Sequence, residues 1–155
     1  MIAIHKPTID DYDAVRALVA EVHALHHAAR SDVYAADAHF SREYYAALLA
    51  DENGFPIAAY DGNELIGFAS GFIKPPNPNP AMLPHRIAYI DDICVHSRCR
   101  GMGIGTLLYN ETVRLAKERG ADTLMLTVWA FNEGAMRFYK GLGMTERNIN
   151  MEMKL

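Results

Sequence analysis

The stretch Arg98-Cys99-Arg100-Gly101-Met102-Gly103-Ile104-Gly105-Thr106-Leu107-Leu108 places glycine at every second position and then turns into a helix-like apolar pattern. Glycine at that density weakens both helix and strand, because folding must remove the extra backbone freedom of each one. The stretch therefore marks a junction between elements where a bare backbone is needed. A helix start has amide N–H groups with no intrahelical acceptor, and glycines let an anionic ligand come close to them. The pattern predicts an anion cradle with Arg98 and Arg100 at its rim. A tight turn whose glycines serve packing alone is the competing reading. The stretch has neither the Lys-Ser/Thr of a P-loop nor the spacing of a dinucleotide fingerprint.

The flanks define what the junction joins. Residues 1–7 alternate apolar and polar and read as a strand stopped by Pro7, with Thr8 capping a helix from Asp10 to about Arg30. Ser41 caps a second helix that Asn53-Gly54 ends. Two apolar runs on either side of Asp61-Gly62-Asn63 form a hairpin. The segment 74–85 carries five prolines in twelve positions and is an exposed loop. A strand over 86–95 precedes the glycine stretch. After it come a helix stopped by Gly120, an apolar strand over 123–129, a helix over 132–144 and a final strand near 149–155. The expected order is β-α-α-β-β-β-α-β-α-β, an α/β (α+β) fold with one mixed, twisted sheet of six to seven strands and about four helices.

With 155 residues, half of them hydrophobic, the chain is expected to form one domain with a sizeable core. Fifteen Lys and Arg against 19 Asp and Glu leave a net charge of -4, which argues against a nucleic-acid partner. Cys94 and Cys99 have neither CxxC nor zinc-ligand spacing, so no disulfide framework is expected. No secretory leader or membrane span is apparent in the pattern, and a cytoplasmic location without membrane contact is the expectation.

Here the sequence resembles the GCN5-related N-acetyltransferase (GNAT) family. Its signature, Arg/Gln-x-x-Gly-x-Gly/Ala between a strand and a helix, is matched by Arg100, Gly103 and Gly105. The strand Tyr89 to Val95 resembles the family strand that pairs with the pantetheine arm. Residues 128–144 resemble its later strand, Asn-capped helix and Tyr-x-x-x-Gly-Phe ending, with Met144 in place of the usual Phe. The resemblance covers residues 60–155; residues 1–59 agree in element order and form the acceptor-side half.

The resemblance implies acetyl-CoA as cosubstrate and no metal. The amides of Gly101, Met102, Gly103, Ile104, Gly105 and Thr106 would wrap the pyrophosphate, with charge from Arg100. Main-chain groups of Ile93 and Val95 would meet the pantetheine, and Asn132 would cap the last helix and contact the arm. The family's bulge in the fourth strand would open the slot for that arm.

Acetyl transfer to an amine needs a base for the amine proton and an acid for the departing thiolate. Asp91 is the base candidate by analogy with an acidic position in polyamine-type acetyltransferases. In a regular strand Asp92 would point to the other face, and a bulge would exchange the two. Tyr139 matches the family tyrosine that donates to the thiolate, although its stripe with Ala135, Phe138 and Leu142 also suits plain packing. The base of ribosomal-protein alanine acetyltransferases falls at Thr127, which speaks against that assignment.

His26, His27, Tyr34 and Asp92 are assigned to the acceptor side. His39, Tyr44 and Tyr45 are candidates for the same aromatic wall, and the histidines, His23 included, are not read as metal ligands. The expected activity is acetyl transfer to a primary amine of a small molecule or peptide. The alternative is a catalytically quiet acyl-CoA-binding module, and a homodimer is left open.

Overall fold

A computed structural model describes residues 1–155. Five strands form one sheet in the order β1 (Ile2–His5), β2 (Ile57–Asp61), β3 (Glu64–Ile73), β4 (Ile87–Val95) and β5 (Thr123–Met125). The first four are mutually antiparallel and β5 runs parallel to β4. The helices are α1 (Tyr12–Ala29), α2 (Arg42–Ala50), α3 (Ile104–Glu118) and α4 (Glu133–Gly141). None is long and apolar enough to cross a membrane.

Local chemistry accounts for the boundaries. Thr8 and Asp11 form a capping box ahead of α1, with Thr8 N donating to Asp11 Oδ2 at 2.7 Å. Ser41 Oγ accepts from Tyr44 N at the start of α2. Gly62, at φ +61°, turns β2 into β3, and Gly120, at φ +75°, stops α3.

The sheet buries both faces. On one, Val15 and Leu18 of α1 and Tyr45 of α2 pack on Ala58, Phe68 and Cys94. On the other, Ile104 and Leu108 of α3 pack on Ile57, Ile66 and Ala69, while Ala116 packs near Phe55, Ile73 and Ala88. Alternation along β3 thus sends Phe68 and Ser70 toward α1 and α2, and Ala69 and Ile73 toward α3.

Two expected strands differ from the structure. The β5 ladder ends where Tyr89 meets Met125, not at Trp129. A bulge in β4 just beyond Tyr89 redirects that strand and breaks the shared register. The final strand near 149–155 does not form. Its alternating Ile149, Met151, Met153 and Leu155 are exposed and bury nothing that could hold a ladder. The sheet therefore has five strands instead of six or seven.

Candidate active site

The β3–β4 register carries the site. Ser70 pairs with Asp92 and Gly71 with Ile90, so Asp91 is the extra residue of a bulge in β4. The strand is thus not regular here, and the opposite-face arrangement of Asp91 and Asp92 that a regular strand would give does not apply. Both carboxylates reach the α1–α2 side, where each raises the pKa of Tyr44 on α2, after burial as the larger cause. Past the bulge, β4 has no β5 partner, which leaves a slot along Ile93 and Val95. Tyr89 Oη and Thr127 Oγ1, 2.7 Å apart, bridge the mouth of this splay.

The glycine stretch lies at the end of β4 and opens α3. Gly101 and Gly103 have φ of +76° and +82°, and a Cβ added at either meets nothing within 4 Å. Their conformation is left-handed and their surroundings are open. The amides from Gly101 to Thr106 donate to no acceptor in the chain. Six N–H groups at the positive end of α3 thus have no partner in the chain, with Met102 exposed beside them. A phosphate-bearing ligand fits this set by donor chemistry and by space.

Gly105 is different: a Cβ there would stand 3.3 Å from Phe138 Cζ, a tight contact that α4 would have to relieve by a small shift of the Phe138 ring.

The two arginines are not free. Arg100 Nε donates to Val95 O at 3.2 Å, and its terminal nitrogen pairs with Glu21 of α1 at 3.3 Å. Arg98 is paired with Glu64. Glu21 also accepts from Ser97 N at 3.1 Å, so it anchors the stretch before the loop. Sequence reasoning missed Glu21, because its partners lie more than 70 positions away.

Around the slot stand the titratable groups. Burial, and then the neighbouring Asp91, raise the Asp92 carboxyl to about 6. Burial also raises Asp91. Ser70 Oγ favours the ionised Asp92 slightly without closing a hydrogen bond of normal geometry. Tyr139, whose ring is 6.3 Å from that of Tyr109, is held strongly in its protonated form by burial, with smaller contributions from Cys94, Asp92 and Tyr109. Asn132 Oδ1 accepts from Ala135 N at 3.0 Å, which caps α4 and leaves its amide NH₂ to donate elsewhere.

The chain belongs to the acetyltransferase (GNAT) family. The family pattern matches residues 19–144. An N-acetyltransferase of Methanocaldococcus jannaschii is 34% identical over 111 residues, 71% of this chain and 47% of that protein. A bovine thialysine N-epsilon-acetyltransferase is 38% identical over 58 residues, 37% of this chain and 34% of the relative. The matches span less than half the length of these curated relatives. Among solved structures, a mutant of the BH1408 protein from Bacillus halodurans has a TM-score of 0.94 at 28% identity, with 99% of each chain covered. Glucosamine-6-phosphate N-acetyltransferase from Arabidopsis thaliana shares the fold, with a TM-score of 0.72 at 16% identity and 99% of this chain and 98% of that chain covered.

The acetyltransferase fold separates the acceptor-side candidates into two groups. His23 Nε2 and His27 Nδ1 lie 2.6 and 2.8 Å from the carbonyls of Ala35 and Tyr34, so they pin the loop after α1. His26 stacks on Tyr34 at 5.1 Å and meets Phe131 edge-on, while Tyr34 meets Trp129. Burial, followed by His23, lowers the pKa of His26. This aromatic wall ties α1 to the β5–α4 connection. Tyr45 is 0% exposed and belongs to the core, whereas Tyr44 lines a pocket beside Asp91.

Proposed function

We propose that the protein transfers an acetyl group from acetyl-CoA to a primary amine, in a ternary complex. The observation that carries this is the run of free amides from Gly101 to Thr106 at the head of α3, beside a strand edge left open by the β4 bulge. In this reading those amides hold the pyrophosphate. The open edge of β4 at Ile93 and Val95 pairs with the pantetheine, and Asn132 donates to it. Arg100 contributes mainly by fixing the loop to β4 and Glu21.

Acetyl-CoA supplies an activated thioester; the chain supplies position and protons. We assign Asp92 as the base in preference to Asp91, because Asp92 is the deeper carboxyl and has a pKa near neutrality. The acceptor reacts as the free amine, its ammonium proton having been released to solvent, and Asp92 accepts one proton from the attacking nitrogen. The C–N bond forms, the C–S bond breaks, and Tyr139 gives its phenolic proton to the departing thiolate. Proton return from Asp92 through water restores Tyr139. Tyr139 carries its proton at neutral pH and so can donate it, and the burial that raises its pKa makes it a weaker acid than a free tyrosine, so donation is driven by charge developing on the thiolate.

The test is thiol release from acetyl-CoA with a panel of primary amines, read together with the mass of the product. Amine-dependent release with a gain of one acetyl group is expected. Tight acetyl-CoA binding with no amine-dependent release would instead favour a binding module.

A further inference from the structure

Residues 145–155 leave the fold as an arm. They form no helix or strand, make no main-chain hydrogen bond, and are exposed along their whole length. Ile149, Met151, Met153 and Leu155 nevertheless alternate with polar residues, the pattern of a strand with one face covered. Met151 is 89% exposed where it stands. Side chains hold the arm beside the sheet edge: Arg147 Nη1 donates to Met125 Sδ at 3.0 Å, and Glu152 pairs at 2.6 Å with Arg30, whose guanidinium lies over Trp129. The arm thus runs in the same direction as residues 125–129 and approaches them through side-chain tips alone.

The neighbouring edge is equally bare. Leu126, Thr127 and Val128 make no main-chain hydrogen bond on either side, because the ladder with β4 ends at Met125. α4, the next helix, contains no buried residue, and Phe131 ahead of it is exposed. The total surface reflects this. The chain exposes 10052 Å², against about 7,800 Å² expected for a compact monomer of 17.3 kDa. The surplus of about 2,200 Å² falls in the range of about 1,000–2,500 Å² that each subunit of an obligate dimer covers.

We infer that a second copy of this chain covers the edge, by reciprocal exchange of the two arms. The partner's arm lies between residues 126–129 and this chain's own arm, and the two-fold axis makes the two arms antiparallel. The order across the join is then β5, partner's arm, own arm, partner's β5, a single sheet through both subunits. Each arm gains main-chain partners along both edges, and its apolar row gains a cover that one chain does not give it. A second copy fits this edge better than an unrelated protein, because donor arm and bare edge occur on the same chain. Their pairing closes on itself and leaves no open strand. This inference stands apart from the acetyl-transfer reading.

Sedimentation equilibrium and amide hydrogen exchange test it. At about 10 μM the wild type is expected at twice the chain mass, with the amides of 126–128 and 146–155 slowed about 10²-fold or more relative to an unfolded chain. The double substitution Ile149→Asp and Met151→Asp sets charges along both arms. It is expected to weaken the dimer about tenfold or more and to release those amides, while melting stays cooperative because both side chains are exposed within one chain. A monomeric wild type at that concentration overturns the proposal. So does a dimer whose arm amides exchange freely, or a double variant that dimerises as tightly as the wild type. If the variant fails to fold, the mass and exchange rates of the wild type decide.

Discussion

Asp92 is kept at a cost to the fold. Its pKa is raised from the ordinary carboxylate value to about 6, so the folded protein binds its proton more tightly than the unfolded chain does. The associated stability is fully present below pH ~4 and is lost as pH rises through about 6. Asp92→Asn is therefore expected to raise thermal stability at pH 7 to 8, by on the order of 2 kcal/mol, and to change little at pH ~4. The same substitution is expected to lower kcat about 10²- to 10⁴-fold and to remove the acid limb near pH 6 from the kcat/KM profile. Melting curves and steady-state rates across pH check both halves. Tyr139→Phe keeps the ring against Tyr109 and Phe138, so folding and acetyl-CoA affinity should persist while kcat falls on the order of 10² to 10⁴. Near-normal turnover would reduce Tyr139 to a packing residue.

The β4 bulge is the element that turns a sheet into a site. One added residue, Asp91, interrupts the β3–β4 register beside Asp92, and the β5 ladder ends just before it, so the acidic pair and the open edge of β4 arise together. Opposite it, Gly71 leaves room for Phe55. A Cβ at Gly71 would lie 2.3 Å from Phe55 Cε2 and 2.8 Å from Tyr89 O, in a ladder that cannot shift freely. Gly71→Ala is expected to destabilise the protein by about 1–3 kcal/mol in denaturant titrations, through overpacking. The hairpin, the capped helices and the glycine junction were legible because their signals are local: Asp61-Gly62, Thr8, Ser41, and glycines at a helix start. The bulge was expected from the family resemblance and not from the residues themselves, because register belongs to two strands at once, and Asp91-Asp92 reads as a plain alternation in one. Glu21 and Ser70 were invisible for the same reason, since each matters through residues far away in sequence. The alternation in 149–155 misled, as a period of two states which side chains share a face and not whether a neighbour exists to pair with.

Across the whole molecule the sheet divides the labour. α1 and α2 cover the face that bears the aspartates, and α3 and α4 bring the glycine loop and Tyr139 to the open edge of β4. The central claim is that acetyl-CoA is held by the bare backbone at the head of α3. Calorimetric titration of acetyl-CoA into the wild type and Gly103→Ala tests it most directly. At φ +82° and with nothing within 4 Å, an alanine at this position costs only about 1–2 kcal/mol of backbone strain, while its methyl group stands where the phosphates would approach. The wild type should bind one acetyl-CoA per chain, and Gly103→Ala should bind about tenfold or more weakly while its melting transition stays cooperative. Equal affinity in the two proteins, or no binding by the folded wild type, would contradict the account.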